Sequence, residues 1–135
     1  MKIEIKRWDN QEVIICGEYE SIKDCVQNNR NVSFYRADLS YADLSYSDLH
    51  YSDLRSAKYS DLTIKKTPLQ IANLKYDILI FTNHIKIGCE LHKAKDWDKF
   101  TNKEIIAMDG QTALKFWKRY KTILIDMCRQ HRLDK

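Results

Sequence analysis

Residues 36–54 read RADLSYADLSYSDLHYSDL. Leu39, Leu44, Leu49 and Leu54 recur every five residues, each preceded by an aspartate: Asp38, Asp43, Asp48 and Asp53. One place earlier stand Ala37, Ala42, Ser47 and Ser52. A period of five matches neither the 3.6 of a helix nor the 2 of a strand. It suits a four-sided coil in which each pentad forms one side and twenty residues complete a turn. Successive turns then stack at the inter-strand spacing of about 4.8 Å. The leucine points inward. The residue two before it also points inward, near a crowded corner, and must be small. The other three positions face outward.

The same phase continues along the chain. Steps of five from Phe34 reach Leu39, Leu44, Leu49, Leu54, Tyr59, Ile64, Leu69, Leu74 and Leu79, all apolar or aromatic. The small-residue position is less regular, and Leu62 and Asp77 break it. Pro68 falls at an outward position, where a missing N–H is tolerated on an unpaired edge. Stacking by twenty predicts interior columns: Phe34 with Leu54 and Leu74, Leu39 with Tyr59 and Leu79, Leu44 with Ile64, and Leu49 with Leu69.

The repeat resembles the pentapeptide-repeat family, whose unit is written A-(D/N)-L-x-x. The resemblance rests on YRADLSYADLSYSDLHYSDL (35–54) and ANLKY (72–76), and is weaker across RSAKYSDLTIKKTPLQ between them. It implies a right-handed four-sided β-helix of about two and a half turns. The tail, HIKIGCELHKAKDW followed by MDGQTALKFWKRYK, is similar to the end of small family members encoded by bacteriophages and prophages. That subgroup implies no particular activity.

A solenoid needs caps over its exposed ends. KIEIKRW and EVIICGEY, separated by a turn at DNQ, predict an N-terminal hairpin. Ser21 with Asp24 predicts a capped short helix running to about Asn28. After the repeats, DILIFTNHIKIGC predicts a second hairpin turning at Thr82-Asn83. DWDKF reads as a helical turn, and Thr101 with Glu104 as a capping box for a helix ending near Gly110. A final helix from Gln111 to about Arg132 places Ala113, Phe116, Trp117, Tyr120, Leu124, Met127 and His131 on one face. The expected fold is therefore mainly β with α. Its parts are an N-terminal cap over 1–30, a repeat coil over 31–81, and a C-terminal hairpin and helical cap over 82–135.

Composition narrows the function. The chain has 135 residues, 44% of them hydrophobic, with three Gly and one Pro, which suits a packed domain without long linkers. A net charge of +4 is too weak to announce nucleic-acid binding. Cys16, Cys25, Cys89 and Cys128 lack framework spacing. No stretch is long and apolar enough for a signal peptide or a membrane span. These features lead us to expect a cytoplasmic protein with reduced thiols, in the host cytoplasm if phage-encoded.

Several residues are candidates for a site. The four aspartates form an acidic row, and some pentapeptide-repeat proteins act on DNA gyrase by imitating DNA. The expected coil is only about 12 Å long against about 34 Å for one turn of B-DNA. Arg36, Arg55 and Lys58 also dilute its charge, so local turn chemistry is the better expectation for these carboxylates. Tyr41, Tyr46 and Tyr51 share one outward pentad position and offer a contact surface, though on three different sides. Cys89 and His92 have metal-ligand or nucleophile–base spacing, but a zinc site needs further ligands and nothing nearby would orient the histidine. The plainer reading is a buried cysteine after a strand and a histidine hydrogen-bonded at a helix start. A small-ligand pocket shared with His84, Lys86 and Trp97 is favoured over a metal site or catalysis. Lys118 and Arg119, beside Trp117 and Tyr120, make the last helix basic, a pattern that also describes a solvated face.

Phosphate-cradling loops, HExxH and nucleophile elbows are absent from the sequence. The expectation is a non-enzymatic binding protein without a metal or other cofactor. It takes a host protein or a small nucleotide as partner and self-associates through its open coil end or aromatic helix. A gyrase-directed DNA mimic and a Cys/His enzyme are the alternatives.

Overall fold

The computed structural model describes residues 1–44 and 53–133. Over these described residues the fold is mixed α/β, with a two-, a three- and a four-stranded sheet and a long C-terminal helix. Residues divide into two compact units, Met1–Pro68 and Leu69–Lys135.

The first unit begins with strands β1 (Lys2–Lys6) and β2 (Val13–Glu18), paired antiparallel as the alternating Ile3 and Ile5 predict. Helix α1 (Ile22–Gln27) follows. Its start is set by Ser21, whose hydroxyl accepts from the Asp24 N–H at 3.0 Å and satisfies a donor the helix leaves open. Cys25 and Val26 face the core.

The repeats then stack at the expected offset of twenty. Strand β3 (Asp38–Leu39) pairs in parallel with β4 (Lys58–Tyr59), Asp38 opposite Lys58 and Leu39 opposite Tyr59. Ser33 bridges Asp53 in the same sense. Phe34 N donates to Asp53 O at 2.9 Å, Arg36 N to Arg55 O at 3.1 Å, and Lys58 N to Ala37 O at 2.9 Å. The corners repeat too. Ala37 N donates to Phe34 O and Ala57 N to Leu54 O, and Arg36 and Ser56 both adopt left-handed backbone with φ near +58° and +59°. The inward residues Phe34, Ala37, Leu39, Leu44, Leu54, Ala57 and Tyr59 are buried.

The expected coil does not run on to Leu79. Strand β5 (Leu62–Thr63) turns back antiparallel on β4, Tyr59 opposite Leu62. Ser60, at φ +53°, makes the reversal. Leu62 stands where the pentad needs a small residue. Its side chain is buried in the hairpin instead of a coil corner. Pro68, expected outside, is buried.

The second unit opens with an antiparallel meander. Strands β6 (Leu69–Ile71), β7 (Ile78–Ile80), β8 (His84–Ile87) and β9 (Glu90–Lys93) pair in sequence order. Leu69 and Leu79 thus share the apolar period of the repeats yet lie in antiparallel pairs, Leu69 with Ile80 and Gln70 with Leu79. Strand β7 lies between β6 and β8, so Leu79, expected to extend a parallel column, sits in an antiparallel sheet instead. Leu49 lies outside the described residues, which leaves its expected pairing with Leu69 there as well.

The expected hairpin at Thr82-Asn83 forms, with Phe81 N donating to His84 O at 2.9 Å. Helix α2 (Ala94–Lys99) and helix α3 (Asn102–Leu133) complete the unit, α3 kinked at Asp109 and Gly110. The kink is where glycine, at φ +69°, was expected to end one helix. Thr101 and Glu104 form the capping box: Glu104 N donates to Thr101 Oγ1 at 3.2 Å and Thr101 N to Glu104 Oε1 at 3.2 Å. Leu114, Phe116, Trp117, Leu124, Cys128 and His131 are the buried face of the later helix, and all but His131 pack with Ile78, Ile80, Ile85 and Trp97 into one core.

Candidate functional site

The second unit separates the residues that sequence spacing grouped together. Cys89 is exposed in the two-residue turn between β8 and β9, after Gly88 at φ +58°. His92 lies on β9 opposite Ile85, and its Nε2 sits 2.9 Å from Glu90 Oε1. The imidazole also meets Trp97 and Phe100 edge-on, with centroids 5.2 and 5.0 Å apart. Trp97 is buried and donates from Nε1 to Ile85 O at 2.8 Å. Its indole packs 5.0 Å from that of Trp117. An aromatic of this size removes about 150–250 Å² from water and finds its hydrogen bond inside, so Trp97 anchors the core. His92 is part of the same ring cluster. No hydrogen bond joins Cys89 to His92, and among the described residues no three His, Cys, Asp or Glu side chains gather to hold a metal.

Lys86 is buried despite its charge, and its ammonium donates to the Gly88 carbonyl, tying the β8–β9 turn. His84 has a different setting. It lines a cavity of about 320 Å³ with Asn83, Lys93, Ala94, Lys95 and Arg132. Lys118 is exposed on α3. Arg119 lies 5.5 Å from the Tyr120 ring centroid and borders a shallower groove of about 280 Å³ with Lys75, Lys115 and Phe116. In the first unit Tyr41 is 97% exposed, while Tyr46 and Tyr51 lie outside the described residues.

Of the repeat aspartates, Asp38 and Asp53 are engaged locally, and Asp48 lies outside the described residues. Asp38 Oδ1 accepts from Ser40 N at 3.1 Å, and Asp53 Oδ1 from Arg55 N at 3.3 Å, the two-residue reach by which Asp organises a turn. Asp53 also takes Arg55 bidentately, at 2.9 and 3.0 Å, and the Ser33 hydroxyl at 2.8 Å. The Arg55 hydrogen bond chiefly holds the Asp53 carboxyl down to about 2, against a smaller opposing effect of burial. Asp43 and Tyr59 interact electrostatically, and burial is the main cause of the raised Tyr59 hydroxyl.

Spacing did not reveal a basic–aromatic cluster beside this row. The guanidiniums of Arg7, Arg36 and Arg55 lie 5.1–5.7 Å from the centroid of the Tyr35 ring, and the Lys58 ammonium lies 4.5 Å from that of Trp8. Each arginine also has a carboxylate. Asp9 holds Arg7 at 2.7 Å and Arg36 at 2.8 Å, and its own carboxyl is pushed far below the usual range by those two hydrogen bonds. The Trp8 indole donates to Ser56 O at 2.7 Å. This network fastens the N-terminal hairpin turn to the repeat corners, and its cations are already engaged.

The charge of the chain is unevenly divided. Through Pro68, Lys and Arg number ten against eleven Asp and Glu; beyond it they number thirteen against eight. The cavity beside His84 therefore lies in the positive half. Lys93 and Lys95, one residue apart in HKAK, were the available sequence signal for it. Among the described residues no helix is long and apolar enough to cross a membrane. Compared with family models, curated proteins and solved structures, the chain matches none.

Proposed function

We propose that this chain is a non-enzymatic binding protein of the pentapeptide-repeat kind, similar to small phage and prophage members. In this reading its first unit carries a short right-handed four-sided coil that ends at Ile64. It acts in the host cytoplasm, where it binds and neutralises a host factor, either a protein or a signalling nucleotide. The observation that carries the reading is the twenty-residue parallel register, Leu39 on Tyr59 and Ser33 on Asp53, with the same corner hydrogen bond on both levels. Backbone held in this way offers a rigid face whose ordering cost is met before a partner arrives.

The placement of His92 among Glu90, Trp97 and Phe100 favours binding over turnover, because a general base must be free to reach its proton. The direct test is affinity capture from host lysate together with native mass spectrometry of the purified protein, which also counts its copies. A stoichiometric partner or a retained small molecule is expected. Recovery of the bare chain alone from lysates of susceptible hosts would sink the proposal.

A further inference from the structure

The cavity in the second unit is built from four pieces of chain that converge on one place. Asn83 supplies the β7–β8 turn, His84 begins β8, Lys93 to Lys95 join β9 to α2, and Arg132 ends α3. His84 and Lys93 are direct cross-strand partners. Ala94 N donates to Asn83 O at 2.9 Å, and Arg132 Nη1 to Asn83 Oδ1 at 3.3 Å. The buried Cys128 thiol, one helical turn before Arg132, donates to Phe81 O at 3.2 Å and fixes this end of α3 to the same turn. The walls are thus pre-positioned by the fold.

Their chemistry is one-sided. Three cationic side chains, an imidazole and an amide line the space, and among the described residues no carboxylate does. Lys93 and Lys95 are exposed and form no ion pair with any described residue. This differs from the first unit, where Asp9 and Asp53 neutralise the arginines beside Tyr35. It differs also from the groove at Lys115 and Arg119, which is shallower and where the Arg119 guanidinium packs beside Tyr120. Unpaired ammonium groups next to a guanidinium fork are what a multiply charged phosphate chain requires. A volume of about 320 Å³ is at the small end for ligand sites, so it admits a phosphate chain and little more.

We propose that this pocket binds a small di- or triphosphate, with the phosphates held by Lys93, Lys95 and Arg132 and further hydrogen bonds from Asn83 and His84. The proposal deepens the nucleotide branch of the function above and rests on that reading. The phosphates belong to a nucleotide or to free pyrophosphate.

Calorimetric titration of the full chain in chloride buffer tests it, using inorganic pyrophosphate, ATP and adenosine as separate probes. Pyrophosphate and ATP are expected to bind and adenosine is not. ATP binding at least about tenfold tighter than pyrophosphate identifies the nucleotide as the source, and equal affinity identifies the phosphate chain alone. A Lys93→Ala, Lys95→Ala double variant, and separately Arg132→Ala, should each weaken both ligands about tenfold or more. A Lys115→Ala, Lys118→Ala variant should leave them unchanged. All these side chains are exposed, so folding should persist, which near-ultraviolet circular dichroism checks. Absence of binding at millimolar pyrophosphate and ATP overturns the site, as does an equal loss in the Lys115, Lys118 variant. A chain that captures a host protein yet ignores both probes would lose the pocket and keep the binding-protein reading. Turnover of bound ATP would support the pocket and end the non-enzymatic reading.

Discussion

The two units share an apolar residue every five positions and use it differently. In the first, Leu39 and Tyr59 lie on parallel neighbours twenty apart. In the second, Leu69 and Leu79 keep the same phase but belong to antiparallel strands joined in sequence order. The apolar period alone therefore does not select the coil. What distinguishes the regions is the position two before it. Ala37 and Ala57 are small and fully buried at their corners, whereas Leu62 and Asp77 occupy that position where the chain reverses or leaves the repeat. A corner with a left-handed residue, as at Arg36 and Ser56, brings the chain round sharply, and a large inward neighbour would collide with the turn above it.

Substitutions can break this comparison. The largest effect is expected from Phe34→Ala, which empties a fully buried site in the first unit and should cost about 3–5 kcal/mol in urea unfolding. A loss below 1 kcal/mol would mean that the stacked interior contributes little. Leu62→Ala is more discriminating. If that position were a coil corner, alanine would be tolerated or favourable. Because Leu62 is buried in a hairpin, the change should cost about 2–5 kcal/mol.

Ala57→Leu places a large side chain at a real corner and should cost about 1–3 kcal/mol through overpacking, again read from the denaturation midpoint. The smallest effect concerns Asp53. Its folded carboxyl sits at about 2, below the ordinary value near 4, so its stabilising contribution is present above about pH 4 and disappears as pH falls through about 2. Asp53→Asn should lower stability at neutral pH by at most about 1 kcal/mol, since the Arg55 partner is largely exposed. It should also flatten the acid limb of a pH series of unfolding curves. An unchanged acid limb would show that the Asp53–Arg55 pair does not hold the corner.

Much of the local structure was legible because it depends on neighbours in sequence. The Ser21 cap, the Thr101–Glu104 box, the Thr82-Asn83 hairpin and the buried face of α3 each follow from side chains a few residues apart. The offset of twenty was legible for the same reason, since the repeat itself encodes it. The site was less so. Cys89, His92, Trp97, Lys86 and His84 are close in sequence, but strand alternation and turns send them to a turn, a ring cluster, the core and a cavity. Asn83 and Arg132 meet across 49 residues, which no local spacing announces.

The amino-acid sequence by itself determined the period, the caps and the side of each helix that is buried, because these rest on short-range sterics, hydrogen bonding and the separation of apolar from charged residues. Only the tertiary structure decided where the parallel stack gives way to the antiparallel meander. It likewise decided which cations are neutralised and which remain open around a cavity. Those outcomes depend on how much volume a distant neighbour leaves at a corner and on which charges chain reversal brings together.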